Sequence, residues 1–265
     1  NPLEADVDTD QDGLPNAYEL DVSLTNPTLA DTDSDGLSDA IEHNSGLSDP
    51  NNKDTDEDGL SDFIEIVTTN TDPKIADTDG DTLSDFEEIS ILSTNPLLSD
   101  SDSDGITDDQ EDIDLDNLSN FVELNITFTN PRLADSDADS VNDGDEDTDN
   151  DGLSDATEIN LTETNILLVD TDDDSINDGD EDTDNDGLTD ATEVNLTKTD
   201  IELVDTDGDS INDGDEDSDN DGLSDLVEIT LTNTNHTKVD SDADGINDGD
   251  EDLDQDGLSN IIELT

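Results

Sequence analysis

Residues 31–42 read DTDSDGLSDAIE, with acids at Asp31, Asp33, Asp35, Asp39 and Glu42 and a glycine, Gly36, after the third. Carboxylates two residues apart repel unless a positive charge sits among them. The arrangement is not an accident of one place. The pattern D-x-D-x-D-(G/S/T/N)-(L/I/V)-x-(D/N)-x-x-E occurs fourteen times.

Position one is Asp8, Asp31, Asp54, Asp77, Asp100, Asp112, Asp135, Asp147, Asp170, Asp182, Asp205, Asp217, Asp240 and Asp252. Position three is Asp10, Asp33, Asp56, Asp79, Asp102, Asp114, Asp137, Asp149, Asp172, Asp184, Asp207, Asp219, Asp242 and Asp254. Position five is Asp12, Asp35, Asp58, Asp81, Asp104, Asp116, Asp139, Asp151, Asp174, Asp186, Asp209, Asp221, Asp244 and Asp256. Position nine is Asn16, Asp39, Asp62, Asp85, Asp108, Asn120, Asp143, Asp155, Asp178, Asp190, Asp213, Asp225, Asp248 and Asn260. Position twelve is Glu19, Glu42, Glu65, Glu88, Glu111, Glu123, Glu146, Glu158, Glu181, Glu193, Glu216, Glu228, Glu251 and Glu263.

Between loops lie eight linkers of eleven residues, 20–30, 43–53, 66–76, 89–99, 124–134, 159–169, 194–204 and 229–239. Residues 1–99 hold four single-loop repeats of 23-residue period, and residues 100–265 hold tandem-loop repeats of 35-residue period, in one continuous array. Periods of this size are the signature of a repeat architecture in which each unit touches only its neighbours.

Composition says why such an array needs help to fold. The chain has 83 acidic against 5 basic side chains, a net charge of −78, 27% hydrophobic residues and 2% aromatics. That is the composition of a disordered chain, with too little apolar surface to offset chain entropy. The sign of the charge excludes nucleic acid and anionic lipid as partners, and no apolar run approaches the ~20 residues of a membrane span, so no membrane insertion is expected. Cysteine is absent, so no disulfide staples the chain. A bound cation is the remaining source of stability.

A twelve-residue loop with side-chain oxygens at one, three, five and twelve wraps a hard cation, with glycine at six permitting the sharp turn. Position seven supplies a backbone carbonyl, position nine acts directly or through water, and the glutamate closes the shell. Ca²⁺ fits this flexible, all-oxygen set better than Mg²⁺, and zinc would call for His or Cys. The expectation is about one Ca²⁺ per loop. Fourteen divalent ions would still leave about −50 of the −78 charge. An additional Asp at position eleven of the tandem units (Asp145, Asp180, Asp215, Asp250) points to further ions at those junctions.

Position seven is always aliphatic, which predicts a thin apolar seam of small clusters. Position six departs from glycine at Thr82, Asn117, Ser140, Ser175 and Ser210. A left-handed turn costs Ser or Thr roughly 1 kcal/mol or more, so weaker or differently turned sites are expected there. Pro27, Pro73, Pro96 and Pro131 forbid a long helix entering each loop, which argues against an EF-hand. On the exit side, Ser, Thr or Asn at position eight caps a helical run of one or two turns. Linkers such as INLTETNILLV, residues 159–169, are rich in β-branched residues and predict extended chain.

TNPTLADTDSDGLSDAIE (25–42), TDPKIADTDGDTLSDFEE (71–88) and TNPRLADSDADSVNDGDED (129–147) resemble the thrombospondin type 3 repeat in its cysteine-free bacterial and archaeal form. The resemblance covers nearly the whole chain. It implies a calcium-stabilised repeat array, solenoid-like or an extended rod, with little regular secondary structure. It also implies an extracellular or cell-surface location, calcium as the ligand, and a stalk, spacer or filament role. The disulfide framework of animal thrombospondins does not carry over. Dockerins share the loop but stop at two copies.

Asn125, Asn160 and Asn195 are N-x-(S/T) sequons recurring every 35 residues, and Asn117 and Asn235 complete the set. The first three predict a glycan row if the host modifies such sites. No distinctive pair of groups suggests catalysis, and a periodic chemistry argues for a structural protein rather than an enzyme. The chain opens at NPLEADV and closes at LT, which reads as an array cut mid-repeat and suggests head-to-tail self-association into a filament. The alternative is a high-capacity calcium buffer or an acidic mineral-associated protein without fixed shape. The constant linker length favours the array.

Overall fold

The computed structural model describes residues 7–264, and its regular structure is a series of short helical turns at loop exits and linker starts. No strand is present among the described residues. The chain falls into two compact units, residues 1–140 and 141–265. The reading of the chain ends concerns residues 1–6 and 265, which lie outside the described residues.

Each helical run starts at position nine. Ser38, Ser61, Ser84, Ser119, Ser154, Thr189 and Ser224 at position eight are extended, and their side-chain oxygens accept the backbone N–H three residues on. Ser84 forms a full capping box with Glu87. One α-turn, such as Asp62–Ile64, then widens into a π-helical turn, Glu65–Thr69. The run ends on a left-handed residue, Asn70 at φ 61°. The repeat with Gly46 in that role closes as a seven-residue α-helix, Asp39–Ser45. Turns this short are not stable alone. They persist because the loops hold them.

Two expectations change here. The linker 159–169, expected to be extended, starts within a π-helical turn, Glu158–Thr162, capped by Glu163 in the left-handed region. Helical hydrogen bonding in the first half of the linker outweighs β-propensity, which is a packing preference rather than a backbone rule. Asn at position eight (Asn142, Asn177, Asn212, Asn247) makes no side-chain cap, and only a 3₁₀ turn comes after it, as at Asp178–Asp180. The cause is the Gly-Asp pair at positions ten and eleven, both poor helix formers.

The second half of each linker is a β-turn. Leu29 N–H donates to the Asn26 carbonyl, with Pro27 at the second position of the turn. Asn26 N–H donates to Thr32 Oγ1, which in turn donates to Asp39 Oδ2. One threonine hydroxyl thus ties the linker to the loop after it.

Linkers also reach back. Lys74 Nζ donates to the Gly46 carbonyl at 2.5 Å and Asn51 Nδ2 to the Ser23 carbonyl at 3.1 Å, each spanning 28 residues. Arg132 donates to the Ile91 carbonyl at 2.7 Å and also to that of Leu92. These side chains meet carbonyls that the ends of helical turns leave unpaired. Two of the chain's five cations, Lys74 and Arg132, are thus used as stitches.

The apolar seam is present at only some loops. Leu14, Leu37, Leu60, Leu83, Leu118, Leu153, Leu188 and Leu223 are buried, whereas Ile106, Val141, Ile176, Ile211, Ile246 and Leu258 are 40–49% exposed. The buried set belongs to the eight loops followed by a linker. The five loops that abut another loop have a β-branched residue at position seven, and it is exposed.

Candidate metal centres

Within a loop the Asp side chains build the turn before they hold anything. In residues 31–42, Asp31 Oδ1 accepts from Ser34 N–H at 2.7 Å and its Oδ2 from Gly36 N–H at 3.1 Å. Asp33 Oδ1 accepts from Asp35 N–H and Asp35 Oδ1 from Leu37 N–H. The residues so held are left-handed: Ser34 at φ 66° and Gly36 at φ 113°. Sequence reading finds the second and misses the first. Position four is left-handed in every loop, even at Leu115 and Ala138, because the first Asp accepts its N–H or that of its neighbour and offsets the strain.

The substituted sixth positions keep the turn. Thr82, Asn117, Ser140, Ser175 and Ser210 have φ 77–85°, below the φ 98–113° of glycines at the same place but within the left-handed region. Thr82 N–H still donates to Asp77 Oδ2 at 2.9 Å, as Gly36 does to Asp31. The turn is the same one, and its strain is borne.

In loop 31–42 the carboxylate oxygen of Asp33 left over from the turn, Oδ2, receives no donor among the described residues. Asp8, Asp10 and Asp12 place three oxygens within 4.8 Å of one another, as do the triplets at 31, 54 and 77. Glu42, Glu65, Glu88, Glu158, Glu193 and Glu228 are fully buried. Each accepts a hydroxyl from the sixth linker residue on one oxygen, such as Ser48 to Glu42 at 3.0 Å or Thr234 to Glu228 at 3.2 Å. The other oxygen, Oε2 in all six, is buried and receives no donor among the described residues, and the same holds for Asp33, Asp56, Asp149, Asp184 and Asp219 Oδ2. Leaving buried anionic oxygens without donors is costly. A hard cation bound to them removes that cost. The donor set, all carboxylate and carbonyl oxygen, fits Ca²⁺.

Electrostatics says the same. Burial, reinforced by neighbouring Asp carboxylates, pushes Glu65 and Glu193 up to about 8 and Glu88 to about 9. Burial also lifts Asp33, Asp56 and Asp81 to about 6. Without a cation these groups would rather hold protons.

Position nine accepts hydrogen bonds from the second residue of its own loop. Asp39 Oδ1 accepts Thr32 N–H at 2.8 Å and its Oδ2 the Thr32 hydroxyl at 2.7 Å, and the pattern recurs at Asp62, Asp85, Asp155 and Asp190. The group lies against the loop before it. Asp81, Glu88 and Asp108, the last from the next loop along the chain, bring three buried oxygens within 4.8 Å. Position five makes the companion link: Asp35 Oδ2 accepts Phe63 N–H at 2.8 Å and Asp186 Oδ2 accepts Gly214 N–H at 2.9 Å, each 28 residues away. Gly179, Gly214 and Gly249 permit this approach, since a Cβ there would lie 2.5–2.8 Å from a carbonyl oxygen of an earlier loop.

The abutting loops keep the inner geometry without the cover. In residues 170–181, Ser175 N–H donates to Asp170 Oδ2 at 2.9 Å and Ile176 N–H to Asp174 Oδ1 at 2.8 Å. Asp172 and Asp174 are nevertheless exposed, and Glu181 leaves the 3₁₀ turn in an extended conformation at φ −67°. The eleventh-position acids Asp145, Asp180, Asp215 and Asp250 are exposed too. Of the sequons, Asn125 Nδ2 donates to the Phe121 carbonyl and Asn195 Nδ2 to that of Gly152 at 2.8 Å, so these amides are already engaged.

No helix among the described residues is long and apolar enough to cross a membrane. The repeat family described as the bacterial TSP3 repeat matches residues 31–53, 54–74, 77–99, 147–165, 182–200 and 217–235. Every match starts at the first Asp of a linker-followed loop. No curated protein matches the chain. Among solved structures, the BSP domain of a biofilm associated protein is 40% identical over 16% of this chain and 7% of that one, with a TM-score of 0.16. A B domain of a biofilm associated protein is 40% identical over 17% of this chain and 11% of that one, with a TM-score of 0.17. This chain therefore spans a small part of the length of either.

Proposed function

We propose, for a chain that carries bacterial thrombospondin type 3 repeats, that it is a calcium-built structural array working outside the cell as a stalk or spacer. The observation that carries this reading is the row of buried glutamate oxygens that receive no donor, at Glu42, Glu65, Glu88, Glu158, Glu193 and Glu228. Positions one, three and five supply carboxylate oxygens, position seven its carbonyl, and the glutamate closes the shell. Metal binding and folding are then one event: like charges open the chain, and the ion closes each loop. Extracellular modules of this kind bind at ~10⁻⁴–10⁻³ M, which suits a setting where calcium is millimolar. No chemistry beyond binding is assigned to a motif repeated this evenly.

Small-angle X-ray scattering with chelator and with millimolar calcium tests the reading. A compact chain of this length has a radius of gyration near ~18 Å and an unfolded one near ~57 Å. Calcium should convert a coil-like curve into one with a defined cross-section and an elongated profile. A featureless coil in both conditions would replace the spacer by a buffer without fixed shape.

A further inference from the structure

We infer that the cation site of a linker-followed loop is shared, its shell completed by the position-nine aspartate of the next loop along the chain. The inference rests on the calcium reading above and changes what the site is: a joint between two repeats, not a property of one.

The loop at 77–88 shows the joint most fully. Asp81 Oδ2, Glu88 Oε2 and Asp108 Oδ2 are all buried and receive no hydrogen bond. Their residues are 5%, 0% and 0% exposed, and the three carboxylates converge within 4.8 Å. Asp108 comes from the loop 100–111. Its other oxygen, Oδ1, accepts the N–H of Ser101 at 3.1 Å, so its own loop holds the side chain while the free oxygen joins the earlier loop's pair. Within 100–111 the carboxylates at positions three and five, Asp102 and Asp104, are exposed. The oxygen of Asp108 that lacks a donor thus has buried partners in the earlier loop that lack donors too.

The second unit brings the same two positions together by a backbone bond instead, with both oxygens of Asp178 and Asp213 also accepting from Thr171 and Thr206 of their own loops. Gly179 N–H, next to Asp178, donates to Asp151 Oδ2 at 3.0 Å, and Gly214 N–H, next to Asp213, donates to Asp186 Oδ2 at 2.9 Å. The link fixes position nine of one loop against position five of the loop before. The sequence carries an independent trace. Every loop that comes after a linker has Asp at position nine. Asn occurs there only in Asn16, Asn120 and Asn260, and none of their loops has one of the eight linkers directly before it. A full negative charge is kept where a cation is to be met, and a neutral amide is accepted elsewhere.

If sites are joints, filling one favours docking of the next loop, and calcium binding spreads along the array by nearest-neighbour coupling. The test is the variant Asp108→Asn in the full chain, which keeps an oxygen to accept the Ser101 N–H. Calcium is titrated, and hydrogen exchange is read for peptides 77–88 and 100–111 separately. A shared site predicts that the calcium midpoint for protection of 77–88 rises tenfold or more, while that of 100–111 moves less than threefold. Asp213→Asn should do the same to 182–193 relative to 205–216. A shift confined to the variant's own loop, or equal in the two loops, overturns the inference. If the unaltered chain gains no protection from calcium in either peptide, the calcium reading itself fails, which is a different result.

Discussion

The loops at 147–158 and 170–181 carry the same acids at positions one, three, five, nine and twelve and the same internal hydrogen bonds, yet one is buried and the other open. Leu153 is 1% exposed and Ile176 47%. Glu158 sits inside a helical turn with Thr164 donating to it at 3.3 Å, whereas Glu181 stands in extended chain after a 3₁₀ turn. The difference starts outside the ligand positions. Ser154 caps a helical turn, and the Asp-Ala-Thr after it continues the turn. Asn177 makes no cap, and Asp-Gly-Asp does not continue. The helical turn carries the glutamate inward and leads into the linker, and the linker brings back the next loop as a cover. Carboxylate spacing makes a loop, but the segment beyond the loop makes a site.

Neutralising the closing glutamate is the change with the largest expected effect. Glu88→Gln should raise the calcium midpoint for protecting residues 77–88 by tenfold or more, because a buried oxygen pair loses its charge in the centre of the shell. Glu181→Gln should shift its own loop by less than threefold. Isothermal titration and peptide-resolved hydrogen exchange would both register the contrast. Equal shifts would erase the distinction between the two kinds of loop.

Acidity should act in opposite directions with and without metal. Buried glutamates such as Glu42 and Glu228 hold protons up to about 8 in the metal-free fold, against an ordinary 4.5. The folded chain therefore binds more protons than the unfolded one between those values, and metal-free stability is full below ~4.5 and lost as the pH rises through about 8. In chelator, circular dichroism should show helical signal gained on going from pH 8 to pH 5. In calcium, protons compete for the same oxygens, so more metal should be needed at pH 5 than at pH 8. A chelated chain that loses helix on acidification would contradict the burial of these groups.

A smaller contrast lies in the seam. Leu153→Ala removes a buried side chain and should cost about 2 kcal/mol in calcium-saturated thermal or denaturant unfolding. Ile176→Ala, at an exposed position, should stay within about 0.5 kcal/mol.

Much of this was legible in the residues. Loop boundaries, linker lengths, the proline-marked turns and the clustering of the acid-bearing positions follow from spacing and turn chemistry alone. The left-handed fourth position is hidden because residues as unlike as Gln11, Leu115 and Ala138 occupy it, and the strain is offset by an aspartate three residues back rather than by glycine. The two kinds of loop are written in plain letters, Leu mostly with Ser or Thr against Ile or Val mostly with Asn, but their meaning is tertiary. Gly179 looks like a loop residue until Asp151's carbonyl is seen 2.5 Å from where its Cβ would be. Local spacing carries no information about which carboxylates of the preceding loop lie near position nine in space, as Asp81 and Glu88 lie near Asp108.

Hydrogen exchange of the whole chain, followed peptide by peptide with chelator and with millimolar calcium, tests the central claim most directly. The linker-followed loops, 77–88 and 147–158 among them, should pass from unprotected to strongly protected when calcium is added, and the abutting loops 170–181 and 205–216 should gain much less. Protection that is the same with chelator, or that rises equally in both kinds of loop, would contradict the account.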